Sequence, residues 1–95
     1  MAQHRFTSSS ASYATVGITS ASAVSAKSER CFLVLTAHPD NTGIIYINLG
    51  AAAVANSGVP LIAGGSLVIE GDAPFQGAVY AIASVAAQKL CILEG

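Results

Sequence analysis

Apolar residues along this chain fall in short runs, each closed by Gly, Pro, Asn, Asp or Ser, and that spacing predicts strands rather than helices. Over 13–19, Ala14, Val16 and Ile18 alternate with Tyr13, Thr15, Gly17 and Thr19, the period of two of a half-buried strand. Further strands are predicted over 30–36, 44–49, 59–62, 67–70, 78–85 and 90–93. The Ala- and Ser-rich segment 20–29 suits either a continuation of the first strand or a short helix. Between the runs lie turn sequences: His38-Pro39-Asp40-Asn41-Thr42-Gly43, then Gly50, then Gly71-Asp72-Ala73-Pro74. Ala63-Gly64-Gly65-Ser66 reads as the tight turn of a hairpin joining 59–62 to 67–70. Seven or eight short strands, with 20–29 the one stretch that also suits a helix, predict an all-β fold: a single-domain antiparallel β-sandwich, jelly-roll-like, over 13–95. Residues 1–12, polar and Ser-rich, read as an extended or flexible N-terminal arm.

Several of these strands are apolar on both faces, although an antiparallel strand ordinarily turns one polar face to water. In the 30–36 strand one face carries Cys31, Leu33 and Leu35 while the other carries Phe32 and Val34. In the 44–49 strand Ile44 and Tyr46 alternate with Ile45, Ile47 and Leu49. Either a loop or the arm of the same chain covers the outer faces, or a neighbouring subunit does. Contiguous apolar patches of more than a few hundred Å² mark association sites, so the second arrangement is expected. Phe32, Val34, Ile45 and Ile47 are then candidate contact residues, with Arg5 and Phe6 of the arm as a rim contact and an apolar anchor.

Composition strengthens this picture. Charged residues make up 9% of the 95 residues and hydrophobic ones 53%, against about 25% charged in ordinary soluble domains. The net charge is -1, and Arg5, Lys27, Arg30 and Lys89 form no basic stripe, so nucleic acid is not expected as a partner. The densest apolar run, 44–55, is broken by Asn48 and Gly50 and is shorter than the ~20 residues of a membrane span. The N-terminus lacks the apolar segment of a secretory signal, so a soluble product made in a cytoplasm and no membrane partner are expected. Cys31 and Cys91 sit in no metal-binding or redox spacing. They read as two buried thiols or, in an oxidising compartment, as a disulfide.

Candidate chemistry is sparse. His38 and Asp40 have the spacing of an orienting pair, and Glu70 and Asp72 that of paired carboxylates or a cation site, yet neither pair has further partners nearby. A small hydrolase would need one of these pairs to face a shared cleft. No Ser lies in a nucleophile motif, and Ala63-Gly64-Gly65-Ser66 lacks the Lys of a phosphate loop. The absence of Trp leaves Tyr13, Tyr46 and Tyr80 as sugar-stacking candidates. No enzyme activity, cofactor or metal is expected.

The order of strands and glycines nonetheless has a familiar look. Arg30 followed by an apolar strand, Ile47-Asn48-Leu49-Gly50, Gly58-Val59-Pro60-Leu61, Ala63-Gly64-Gly65-Ser66, Ile69-Glu70-Gly71, Gly77-Ala78-Val79-Tyr80-Ala81-Ile82 and Leu93-Glu94-Gly95 together resemble a class of small β-sandwich virion proteins of tailed bacteriophages. The resemblance spans 30–95. It implies a structural protein of the particle, most of all a capsid decoration (cement) protein made in the host cytoplasm and bound to the capsid exterior. Its partners would be the major capsid protein and itself, as a homotrimer or other small oligomer. The alternative within the same class is a head- or tail-fibre module that binds a host glycan or receptor.

Overall fold

The computed structural model describes residues 10–26, 30, 32–70 and 76–95, in which eight strands form and no helix does. They are β1 (Ser10–Val16), β2 (Ala21–Val24), β3 (Leu33–Ala37), β4 (Ile45–Leu49), β5 (Val59–Leu61), β6 (Ser66–Ile69), β7 (Val79–Ala83) and β8 (Gln88–Glu94). Two four-stranded sheets result, one in the order β1-β8-β3-β6 and the other β2-β7-β4-β5. All neighbouring strands run antiparallel. Pairing first with last, second with seventh, third with sixth and fourth with fifth is a long hairpin rolled on itself, which is the jelly roll.

Every connection but one passes from sheet to sheet, β4–β5 being the exception, and this corrects the predicted hairpin over 59–70. The turn itself forms: Gly65 N–H donates to Ile62 O at 2.7 Å, and Gly64 takes φ +82°, as position three of a type II turn requires. But Gly64 N–H donates to Ala37 O and Ala37 N–H to Gly65 O, both at 2.9 Å, so the turn is already laddered onto β3. The chain therefore leaves β5 and crosses to β6 in the opposite sheet. The sequence of a tight turn is the same whether it closes a hairpin or arches over the core.

Two boundaries also differ. The first strand begins at Ser10, and Ser10, Ala11 and Ser12, read as part of the arm, pair with Glu94, Leu93 and Ile92 of β8. The ambiguous 20–29 segment contains a strand, β2, with a bulge between Ser22 and Val24 where it pairs with β7. Residues 1–9, and with them Arg5 and Phe6, lie outside the described residues, as do Cys31 and Asp72.

The core lies between the sheets and consists of Leu33, Leu35, Leu90 and Ile92 from one and Ile45, Ile47, Leu61, Val79 and Ala81 from the other. Ile45 and Ile47, expected as contact residues, are 0% and 1% exposed and belong to this core. Their cross-strand partners explain the choice. Ile45 lies opposite Ala83 and Ile47 opposite Ala81, whose small side chains leave room for branched ones, while Tyr46 and Asn48 take the outward face.

One buried polar side chain closes each end of the sandwich. Arg30 is fully buried, with Nε donating to Glu94 Oε2 at 2.7 Å, Nη1 to Gly77 O at 3.1 Å and Nη2 to Ser25 O at 2.8 Å. This single guanidinium ties the end of β8 to the segments after β2 and before β7. At the other end Gln88 Oε1 accepts from the amides of Thr42 and Gly43 at 2.8 and 2.9 Å, and Nε2 donates to Ala86 O at 3.1 Å. The β3–β4 loop is thereby fixed to β8, and Asn41 adds a two-way bond with the Lys89 backbone at 2.9 Å each way.

Candidate interaction surface

The outward faces of the two sheets have different fates. On the second sheet the β4–β5 loop folds back over Tyr46 and Asn48. Tyr46 Oη donates to Asn56 Oδ1 at 3.1 Å, Asn48 Nδ2 donates to Ala52 O at 3.1 Å, and Ala53 is buried with its N–H on Ser20 Oγ at 2.8 Å. Asn56 takes φ +65°, a left-handed conformation that Asn tolerates, which turns its amide toward the tyrosine. The β4 strip of this face is covered by its own chain, contrary to the expectation that another subunit covers both faces, while Tyr80 and Ile82 of β7 are half-buried.

The outward face of the first sheet has no such cover among the described residues. The register places Ala11, Leu93, Val34 and Val68 in one row across all four strands. Val68 is 50% and Leu93 39% exposed. The next row holds Tyr13, Cys91, Thr36 and Ser66, with Thr36 Oγ1 and Ser66 Oγ bonded at 2.9 Å. Between the rows lies a shallow, open depression of about 370 Å³ along Ala11, Val34, Cys91 and Leu93. Tyr13 stands out from this face at 63% exposure, with Lys89 Nζ 4.7 Å from its ring centre. A cation over an aromatic face is a favourable contact of about 0.5–1 kcal/mol at an exposed site.

Of the candidate contact residues, Val34 sits at the centre of this face. Phe32 is half-buried at its margin, exchanging backbone bonds of 3.2 Å with Gly95. Its ring occupies the space that a side chain on Gly95 would need, so a larger residue there has to displace the ring. Cys91 carries a free thiol, half-buried on the outward face rather than in the core.

The chemistry candidates do not converge. His38 Nδ1 accepts from the Asp40 N–H at 3.1 Å and lies 3.8 Å from Asp40 Oδ2, a contact held within the β3–β4 loop. That bond leaves the ring proton on Nε2 in the neutral form. Glu70 is exposed beyond the end of β6. No group of three or more His, Cys, Asp or Glu able to hold a metal exists among the described residues. A second cleft, lined by Ser12, Ala23, Ser25, Ile92 and Glu94, opens between β1 and β2, where the Glu94 carboxylate is engaged by Arg30. Of the tyrosines, Tyr46 is buried and Tyr80 half-buried, which leaves Tyr13 as the exposed ring.

Sequence reasoning did not find the Tyr13–Lys89 pair, because the two are 76 positions apart and meet only through the β1–β8 register. It also took β4 the wrong way round. Asn48, two residues from Tyr46, was the signal that this parity faces outward. No family model, no curated protein and no solved structure matches the chain.

Proposed function

We propose that this chain is a non-enzymatic virion structural protein, a capsid decoration protein that binds the major capsid protein lattice on the outside of the head and holds neighbouring capsomers together. The observation that carries this reading is the outward face of the first sheet, where Ala11, Leu93, Val34 and Val68 form an apolar row with no cover among the described residues. Two further features support it. The jelly roll is an architecture of viral capsid and lectin domains, and the resemblance over 30–95 points to phage virion proteins. Fold alone does not assign function, so the surface has the greater weight.

Binding would work through burial and repetition. A standard interface buries about 1,200–2,000 Å², and many copies on a symmetric shell turn modest single contacts into firm attachment. Self-association as a small oligomer would add to this.

Co-sedimentation with expanded shells that lack the protein tests the proposal. Saturable binding that changes little between low and moderate salt is expected, since the face carries little charge for salt to screen. A protein that stays in the supernatant at every salt concentration refutes it. The fibre-module reading rests on the exposure of Tyr13 and predicts instead that the isolated domain binds host cells or their glycans, and that Tyr13→Ala abolishes this.

A further inference from the structure

We infer that β1 is a self-pairing edge, through which two copies of the chain join their first sheets into one continuous eight-stranded sheet about a two-fold axis. Each sheet has two edges, and an edge strand exposes unpaired N–H and C=O groups that template another strand unless something blunts them. Three of the four edges here are blunted. In the second sheet β2 has four residues and a bulge, and β5 has three with Pro60 at its centre. In the first sheet β6 has four residues and runs into Glu70-Gly71.

The fourth edge is different. β1 has seven residues, Ser10-Ala11-Ser12-Tyr13-Ala14-Thr15-Val16, with no charge, no proline and no register shift against β8. Length, regularity and neutrality are what a partner strand needs, and among the described residues none lies beside it.

The composition of β1 identifies the partner as a second copy. Antiparallel pairing centred on Tyr13 sets Ser12 opposite Ala14, Ala11 opposite Thr15 and Ser10 opposite Val16 of the other copy, so all seven positions find partners. No pair opposes like charges, and a net charge of -1 per chain gives little repulsion between copies. Tyr13 meets its own equivalent on the outward face, an aromatic cross-strand pair with Lys89 beside each ring. Such an interface is isologous and closes at two subunits. It also doubles the width of the apolar outward face. The inference stands on the edge alone and does not need the capsid reading.

Sedimentation velocity of the full chain over a range of concentrations tests it. A monomer–dimer equilibrium is expected, the larger species having twice the 9.5 kDa of one chain. Tyr13→Glu sets two carboxylates opposite each other while leaving Lys89 an attractive neighbour, and should weaken the dimer by about tenfold or more. Val68→Glu, exposed on the same face but at the far edge, should dimerise as the parent does. A cysteine pair gives an independent reading should Tyr13→Glu unfold. With Cys31 and Cys91 changed to Ser, Tyr13→Cys should give a disulfide-linked dimer on mild oxidation and Thr15→Cys should not, since only position 13 meets itself across the axis. A monomer at every concentration, a trimer, or equal cross-linking from both positions would overturn the inference. None of these outcomes bears on whether the chain sediments with shells, so the two proposals fail separately.

Discussion

Replacing Arg30 by Met is the sharpest test of how this small sandwich holds together. The methionine keeps the apolar stem but removes a guanidinium that is 0% exposed and donates to Glu94, Gly77 O and Ser25 O. Each hydrogen bond to a charged group contributes about 1.5–3 kcal/mol, and each carbonyl left buried without a donor costs about 1–3 kcal/mol. Against this, the substitution relieves the desolvation of a buried cation, which amounts to several kcal/mol. The balance is a loss of about 3–4 kcal/mol. For a domain whose total stability is roughly 5–14 kcal/mol at this length, that is a large share. It should lower Tm by about 12–32 °C, at roughly 4–8 °C for each kcal/mol. Glu94→Gln keeps the shape and removes only the counter-charge. With Glu94 18% exposed, water reaches the site, so a smaller loss of about 2 kcal/mol is expected. The double variant should cost at least about 1 kcal/mol less than the two single losses combined, because the pair couples. Urea unfolding of the four proteins, followed by circular dichroism, measures this. If Arg30→Met is within about 1 kcal/mol of the parent, the guanidinium does not close the sandwich and the reasoning fails.

Three other outcomes are expected from the same unfolding assay. Gly58→Ala should cost about 3 kcal/mol or more and Gly64→Ala only about 1, although both have φ +82°, because a Cβ on Gly58 would collide with the Ile47 carbonyl while one on Gly64 meets nothing within 4 Å. Ile47→Ala should lose about 2–5 kcal/mol and Val34→Ser less than about 1, which checks that β4 and not β3 turns the residue first taken for a contact inward. Gln88→Leu should cost about 2–4 kcal/mol by leaving the Thr42 and Gly43 amides without an acceptor, and should speed hydrogen exchange at those two positions.

Strand positions were legible because alternation and turn residues report directly on local backbone, and each predicted strand overlaps an observed one. Pairing was not legible, since a turn such as Ala63-Gly64-Gly65-Ser66 is satisfied by Ala37 on one sheet as well as by a hairpin partner. The direction of β4 was hidden for a related reason. When both parities are apolar the period of two still holds but no longer says which face is inside, and the small Ala81 and Ala83 that settle it are more than thirty residues away. Arg30 escaped notice in the same way: a lone arginine before a strand looks like a solvated flank until the β3–β8 register sets Leu33 opposite Glu94 and brings the carboxylate to it.

The shortage of charge is unevenly distributed, and the unevenness bears on function more than the total does. Of the described charged residues, Arg30 and Glu94 neutralise each other at one end of the fold, and Asp40 and Glu70 lie in loops. Within the four strands of the first sheet Lys89 is the one charged side chain turned outward, and it lies over Tyr13. A sheet face with one cation, four aliphatic side chains in register and an unblunted edge is poorly suited to remain in water at high copy number. The second sheet shows that this chain can cover an apolar face with a nine-residue loop, from Gly50 to Gly58, when it must. That difference between the two faces, among the described residues, is the observation on which the proposed contact surface rests.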